Sequence, residues 1–122
     1  MIEGETCIVV AELQPGERDY LEVRLPPVRR WLECPLDLCA PDAYADAQVL
    51  SVFVHSQVTR QVLDRMPDLR FIATRSTGYD QIDLAACNER GLPVSNVPRY
   101  GENTVAEHTF GLMLSLSRKI YK

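Results

Sequence analysis

The chain has 122 residues, of which 46% are hydrophobic and 25% are charged, and its formal net charge is −4. This size and composition predict one domain with an apolar core and exclude a disordered tail. The basic residues are scattered, so the sequence lacks the clustered positive patch that nucleic-acid binding requires.

The first predicted element is a strand that follows a start without targeting features. Met1 to Val10 carries acidic residues and a short apolar run, whereas a secretory signal has a basic start and a longer apolar stretch. No run approaches the ~20 apolar residues of a transmembrane helix. Cys7 to Leu13 is rich in β-branched residues and predicts a buried strand. We therefore expect a cytoplasmic protein with no membrane partner.

The following segments alternate between helix-like and strand-like patterns. Pro26 and Pro67 each stop a predicted helix, because proline removes a backbone donor and clashes with the preceding turn. The adjacent pair Arg29 and Arg30 is interpreted as a solvated strand edge. In chain order the predicted elements are a helix over Glu17–Leu25, a weaker strand over Val28–Leu36, a short helix over Pro41–Ala47, a strand over Gln48–His55, a helix over Val58–Met66 and a strand over Leu69–Thr74.

The last predicted elements complete an alternating α/β pattern. A helix over Asp83–Arg90 has an aspartate N-cap and Gly91 just past its end. A strand over Leu92–Val97 and one long helix over Glu102–Lys122 follow. Repeated strand-then-helix order with nearly continuous apolar strands predicts a parallel sheet covered on both faces. The expected fold is a flavodoxin-like, doubly wound, five-stranded α/β sheet that ends in a long helix.

Ligands of such sheets bind outside the carboxyl ends of the strands, which directs attention to the loops after Thr74 and Val97. In the first loop, Gly78 tolerates positive φ, which lets successive N–H groups converge on an anion. The N–H groups of Thr77 and Gly78 are therefore candidates to hold a small carboxylate or phosphate. The alternative is that Gly78 only makes the strand-to-helix turn.

The second loop contains Tyr100, whose phenol is expected at the mouth of the same cleft, where it can bond a substrate oxygen. The alternative is a partly exposed loop tyrosine. Gly101, with Asn103 or Thr104, is expected to cap the long helix. Glu107 and His108 do not form an acid/base pair, because adjacent helical side chains point ~100° apart, and we interpret the histidine as a hydrogen-bonded packing residue.

The four cysteines do not indicate a metal site. They are widely spaced, contain no CxxC motif and are accompanied by only two histidines. We expect reduced, mostly packed thiols, as is usual for a cytoplasmic protein. The four are Cys7, Cys34, Cys39 and Cys87.

The two loops together resemble a known family. The run RSTGYDQIDLAACNERGLPVSNVPRYGENTVAEHTFGLMLSLSR, from Arg75 to Arg118, is similar to the D-isomer-specific 2-hydroxyacid dehydrogenases. The pieces TGYDQIDL and SNVPRYGENTVAEH carry most of the specificity, and VLSVFVHSQVTRQVLDRMPDLRFIA fits the same alignment. The resemblance covers nearly the whole chain.

This resemblance implies roles for individual positions. The substrate carboxylate would be held by the backbone N–H groups of Thr77 and Gly78, and Tyr100 would face the substrate as in the D-lactate branch. Thr104 and Val105 would approach the nicotinamide of NAD. Arg99 stands where the family often has a small or apolar residue, and we expect it to face solvent.

The resemblance also implies parts that this sequence lacks. No GxGxxG motif can be drawn from its six glycines, and the family's catalytic histidine, acid and arginine correspond to positions beyond Lys122. We therefore assign no catalytic residue, expect an inactive, truncated chain, and divide it into a substrate-binding part, 1–101, and an interdomain helix, 102–122, leading to an absent NAD-binding domain. That helix is apolar nearly all round, which predicts self-association or docking of a cofactor-domain polypeptide.

Two alternatives remain open, namely a stand-alone module that binds small carboxylates or a protein partner, and one half of a split dehydrogenase. A flavodoxin is disfavoured because Gln14-Pro15-Gly16-Glu17 is not a Ser/Thr-rich phosphate loop. A phospho-receiver is disfavoured because no aspartate closes the third strand, which ends Val54-His55-Ser56.

Overall fold

A five-stranded, all-parallel sheet organises the chain in the computed structural model, which describes residues 6–28 and 30–120. The spatial order β2-β1-β3-β4-β5 is that of flavodoxin-like sheets. This confirms the predicted fold class. The strands are β1 (Ile8–Val10), β2 (Arg30–Trp31), β3 (Val49–Val52), β4 (Phe71–Thr74) and β5 (Val94–Ser95).

The strands are shorter than the apolar runs that predicted them. The run Cys7–Leu13 ends as a strand at Val10, because Glu12 turns away with a left-handed φ of 58°. The run Val28–Leu36 contributes only Arg30–Trp31, and a 3-10 turn at Leu36–Leu38 takes its last residue. Arg30 lies on the edge strand and pairs with Asp46, while Arg29 lies outside the described residues.

Three short helices connect the strands. These are α1 (Glu17–Glu22), α2 (Arg60–Asp64) and α3 (Leu84–Glu89), and a 3-10 turn at Pro41–Ala43 replaces the longer helix expected over Pro41–Ala47. The predicted N-cap of α3 is confirmed, since the Asp83 carboxylate accepts from the Ala86 N–H at 2.9 Å. Gly91 follows α3 with φ of 62°, as its position after the helix predicts.

The core lies between the sheet and these helices. Side chains of β3 and β4 alternate between half-buried and buried, with Leu50, Val52 and Ile72 fully buried. Tyr44 is also fully buried, and its hydroxyl accepts from Arg65 at 3.2 Å. β1 adds Val9 and Val10 to the core, and the crossovers add other large side chains, including Leu36, Val58, Leu63 and Met66.

The long terminal helix, α4 (Glu102–Arg118), has no buried residue, and all of its residues except Ser115 are exposed. Its N-cap is Gly101, as expected, but no side chain makes a cap bond, so the expected contribution of Asn103 or Thr104 is wrong. His108 is exposed, which contradicts its interpretation as a packing residue. The predicted helix end at Lys122 lies outside the described residues. Within those residues, no helix has the length and apolar character needed to cross a membrane.

The cysteines correct another expectation. Cys34 and Cys39 form a disulfide, with Cα atoms 6.1 Å apart, rather than two reduced thiols. The 3-10 turn between them brings these residues within the Cα separation that a disulfide needs, which spacing along the sequence does not reveal. Cys7 and Cys87 are buried outside the disulfide, and burial, aided by the negative charge of Asp83, raises the pKa of the Cys87 thiol.

Candidate functional site

A cleft of about 390 Å³ opens at the carboxyl edge of the sheet, beyond the ends of β3 and β4. The parallel arrangement brings the loops after both strands to the same edge, where ligands of such sheets bind. Six residues from the two loops line it, namely Val54, Gln57, Ser76, Gly78, Asp80 and Gln81.

The loop after β4 is held by its carbonyl groups. The Ser76 carbonyl accepts from the Val97 N–H at 3.0 Å, and the Thr77 carbonyl accepts from the Asn96 side chain at 2.8 Å. The Gly78 carbonyl accepts from the Ser76 hydroxyl at 2.7 Å. The segment after β5 therefore fixes the loop after β4.

A buried polar network supports this loop from below. The hydroxyls of Thr74 and Ser76 lie 2.6 Å apart, and both are buried. The Gln81 amide donates to Thr74 Oγ1 at 3.0 Å and to the Phe53 carbonyl at 3.2 Å. Since Phe53 follows β3, this glutamine ties together the two loops that form the cleft.

The hydrogen bonding of this loop's N–H groups differs from that of its carbonyls. Within residues 6–28 and 30–120, the N–H groups of Thr77 and Gly78 donate to no acceptor, while the carbonyls of both residues are engaged. Thr77 and Gly78 are exposed, and Gly78 lines the cleft. Two successive N–H donors on an immobilised loop suit a small anion such as a carboxylate.

The expectation that Gly78 adopts a positive φ is wrong. Its φ is not among the positive values in the chain, so a left-handed conformation does not explain the glycine. A Cβ built at this position meets nothing within 4 Å. The chain itself thus has room for a side chain here.

Arg75 holds the loop to the rest of the sheet edge. Its guanidinium donates to Glu17 at 2.6 Å, to the Ser51 hydroxyl at 3.0 Å and to the carbonyls of Ala11 and Glu12, each at 2.9 Å. These partners belong to α1, β3 and the segment after β1. Because its donors are used internally, we expect Arg75 to hold the loop rather than to bind a ligand.

Glu12 is the most buried charged group at this edge. Its carboxylate accepts from the N–H groups of His55 and Ser56, at 3.0 and 2.9 Å, and from the Ser56 hydroxyl at 2.9 Å. The His55 ring nitrogen Nδ1 lies 2.7 Å away. Burial raises the pKa of the Glu12 carboxyl, but the hydrogen bonds from His55 and Ser56 outweigh it, so the pKa lies below its ordinary value.

The loop after β5 contributes no residue to the lining of the cleft, whereas the loop after β4 contributes several. Tyr100 is 80% exposed, and it does not line the cleft. Arg99 has a left-handed φ of 59° and an exposed side chain 4.0 Å from Glu102, so its expected solvent-facing position is confirmed. Thr104 and Val105 lie in the first turn of α4, and both are exposed.

The structure thus places Gly78 in the lining of the cleft, with Thr77 next to it in the same loop, and leaves Tyr100, Thr104 and Val105 exposed. Sequence reasoning missed Glu12, Arg75 and Gln81 as organisers of the site. A signal was present for Glu12, since a charged residue next to an apolar strand run demands a buried partner. In the described part of the chain, no group of three or more His, Cys, Asp or Glu side chains is placed to hold a metal ion.

Comparison with known proteins adds a family match. A family model described as the catalytic domain of D-isomer-specific 2-hydroxyacid dehydrogenases matches residues 7–119. The chain is 39% identical over 77 residues to a 2-hydroxyacid dehydrogenase homolog of Haemophilus influenzae, a match covering 62% of this chain and 23% of that protein. It is 41% identical over 73 residues to an aromatic 2-oxoacid reductase of Clostridium sporogenes, covering 58% of this chain and 22% of that protein.

A solved structure shows the same likeness. The D-lactate dehydrogenase of Aquifex aeolicus, complexed with NAD and lactic acid, matches with a TM-score of 0.78 and 32% identity. The match covers 89% of this chain and 33% of that protein. The chain therefore spans about a third of that enzyme and less than a quarter of the two curated relatives.

Proposed function

The chain belongs to the D-isomer-specific 2-hydroxyacid dehydrogenase family, and from this premise we propose that it is the substrate-binding part of an NAD-dependent enzyme that interconverts 2-oxo acids and D-2-hydroxy acids. In this proposal residues 1–101 bind the acid, and residues 102–122 lead toward an NAD-binding domain. The cytoplasm is the proposed location, and recovery of the protein in a secreted fraction would contradict it.

The observation that carries the proposal is the contrast between the bonded carbonyls and the unbonded N–H groups of the loop after β4. Its carbonyls are held by Val97, Asn96 and Ser76, while the N–H groups of Thr77 and Gly78 donate to no described acceptor. Hydrogen bonds from N–H groups to an ionised carboxylate are stronger than bonds between neutral groups. Because the loop is already immobilised, binding the carboxylate requires little further loss of backbone entropy.

The chemistry assigned to this chain is binding and orientation of the acid. Thr77 and Gly78 would hold the carboxylate oxygens, which fixes the direction in which the rest of the acid extends from the loop. Tyr100 would then hydrogen-bond a substrate oxygen through its phenol. Since Tyr100 is largely exposed, we expect this contact only when the loop after β5 is covered by ligand or by another surface.

The residues present do not by themselves fit NAD. Thr104 and Val105, the two positions proposed to approach the nicotinamide, are exposed on the first turn of α4 and do not line the cleft. The sequence contains no glycine-rich dinucleotide motif that would hold the pyrophosphate. We therefore expect this chain alone to show no NAD-linked turnover with any 2-oxo acid, and measurable turnover would contradict the proposal.

Gly78→Ala tests the proposed carboxylate site directly. The added methyl meets nothing in the chain, so the fold and its stability should be unchanged, while the methyl enters the space of the bound carboxylate. We expect pyruvate to shift the Thr77 and Gly78 amides in a ¹⁵N–¹H spectrum of the wild type. In the variant its affinity should fall at least about tenfold, equivalent to ~1.4 kcal/mol.

Gly111→Ala is the matched control, because it adds the same methyl to α4, where it also meets nothing within 4 Å. It should bind pyruvate as the wild type does. Equal affinity of the Gly78→Ala variant and the wild type, or pyruvate-induced shifts located elsewhere, would refute the site.

A second candidate function rests on α4. Its exposed apolar side chains include Phe110, Leu112 and Met113, and exposed apolar surface of this kind is typical of a docking site. The chain would then act as an interaction module or as one half of a split dehydrogenase. Co-purification of a polypeptide carrying GxGxxG would support the split enzyme, and a monomer at high concentration without such a partner would oppose it.

A further inference from the structure

The segment after β3 forms a second anion-binding arrangement, and the chain fills it with its own carboxylate. The N–H groups of His55 and Ser56 and the Ser56 hydroxyl converge on the Glu12 carboxylate at 2.9–3.0 Å. Successive backbone N–H groups that converge in this way are a common anion site in proteins. Glu12 is only 4% exposed, so the chain's own carboxylate occupies these donors with little contact to solvent.

The backbone at Glu12 adds independent support. Its φ of 58° is left-handed, a conformation that costs free energy for any residue other than glycine. Such strain persists only where surrounding contacts determine the conformation. The bonds from His55 and Ser56 to the Glu12 carboxylate are contacts of that kind.

Glu12 also connects the two walls of the cleft. On one side, its carboxylate holds His55 and Ser56, which lie between the cleft-lining residues Val54 and Gln57. On the other side, its carbonyl accepts from Arg75 at 2.9 Å, immediately before the loop that contains Thr77 and Gly78. Through its side chain and its backbone, Glu12 therefore links the segment after β3 to the loop that contains Thr77 and Gly78.

We propose that Glu12 is a positioning residue for the substrate cleft, and that its carboxylate acts as an internal anion bound by His55 and Ser56. This inference rests on the proposed function, because the effect on substrate depends on the Thr77 and Gly78 site. The binding of the Glu12 carboxylate by the N–H groups of His55 and Ser56 is a separate part of the inference, and it does not depend on any substrate.

Glu12→Gly is the variant that tests the inference. Glycine adopts the left-handed backbone readily, so the carboxylate is lost without added strain at this position. Lys119→Gly is the matched control, since Lys119 has a similar φ of 55° and lies at the end of α4, away from the cleft. Both variants would be titrated with formate and, separately, with pyruvate, and followed by ¹⁵N–¹H spectra.

We expect formate to shift the His55 and Ser56 amides saturably in Glu12→Gly, but not in the wild type or in Lys119→Gly. Pyruvate affinity at Thr77 and Gly78 should fall roughly tenfold in Glu12→Gly, because hydrogen bonds to a charged group are lost from one wall of the cleft. Unshifted His55 and Ser56 amides in the presence of formate, or wild-type pyruvate affinity, would overturn the inference.

Glu12→Gln keeps the test decisive if the glycine variant does not fold. The amide has nearly the same size but only one acceptor oxygen, so it cannot reproduce the acceptor pattern of the carboxylate. A several-fold loss of pyruvate affinity is expected, and unchanged affinity would overturn the proposed role. If pyruvate fails to bind the wild type while formate still binds Glu12→Gly, the proposed function is wrong and the internal anion remains supported.

Discussion

The loop after β4 and the segment that runs from Val97 into α4 carry equally distinctive sequences, yet the chain supports them very differently. Ser76, Thr77 and Gly78 have their carbonyls bound by neighbouring groups, and Arg75 ties the loop to three other elements. In contrast, α4 has no buried residue and no side-chain cap. A family motif therefore does not imply that its residues are organised by their own part of the chain.

The physical difference lies in where each segment finds its partners. A loop at a sheet edge is surrounded by strand ends, so nearby donors and acceptors can fix its backbone. A helix with apolar groups on all sides needs contacts on more than one face, and among the described residues α4 finds none that bury it. Paired substitutions, one in each region, test this physical difference.

The largest difference is expected between two leucine truncations. Leu50 is fully buried in β3, whereas Leu114 is 55% exposed on α4. Leu50→Ala should lower the free energy of unfolding by about 2–5 kcal/mol through lost burial and a residual cavity. Leu114→Ala should change it by less than about 0.5 kcal/mol. Urea unfolding measures both, and comparable losses would mean that α4 is packed in solution.

A smaller difference is expected between two arginine variants. Arg75→Ala removes a half-buried side chain with four protein partners, and should lower the free energy of unfolding by about 3 kcal/mol. Arg99→Ala removes an exposed pair with Glu102, worth less than about 1 kcal/mol. Urea unfolding again measures both, and the Thr77 and Gly78 amide signals should move only in Arg75→Ala. If the Arg75→Ala variant has wild-type stability, the role assigned to Arg75 in holding the loop after β4 is wrong.

The smallest difference concerns helix capping. Asp83→Ala removes the observed cap bond of α3 and should lower the free energy of unfolding by about 1 kcal/mol. Asn103→Ala, at a position that resembles a cap in the sequence, should be neutral or slightly stabilising because alanine is the better helix former. Thermal unfolding of both variants would decide, and a loss for Asn103→Ala as large as that for Asp83→Ala would mean that α4 is capped in solution.

Much of the architecture was accessible from local patterns. The apolar strand runs, the alternation of strand with helix and the Asp83 and Gly91 helix boundaries each depend on neighbouring residues, and all agree with the structure. Strand lengths were overestimated, because buried apolar residues continue past the strand ends, as Ala11 does beyond Val10. The side-chain cap expected from Asn103 or Thr104 was wrong, because capping geometry depends on the approach of the preceding loop.

The fold class, the order of the elements and the position of Thr77 and Gly78 at the carboxyl edge could be predicted from the sequence, because they follow from periodicity and from the topology of parallel sheets. Three contacts became visible only in the folded chain: Glu12 meets His55 and Ser56, Arg75 bonds to three elements, and Cys34 bonds to Cys39. Except for the disulfide, these contacts join residues more than 20 positions apart. All of them depend on side-chain direction and on loop paths, which periodicity does not specify.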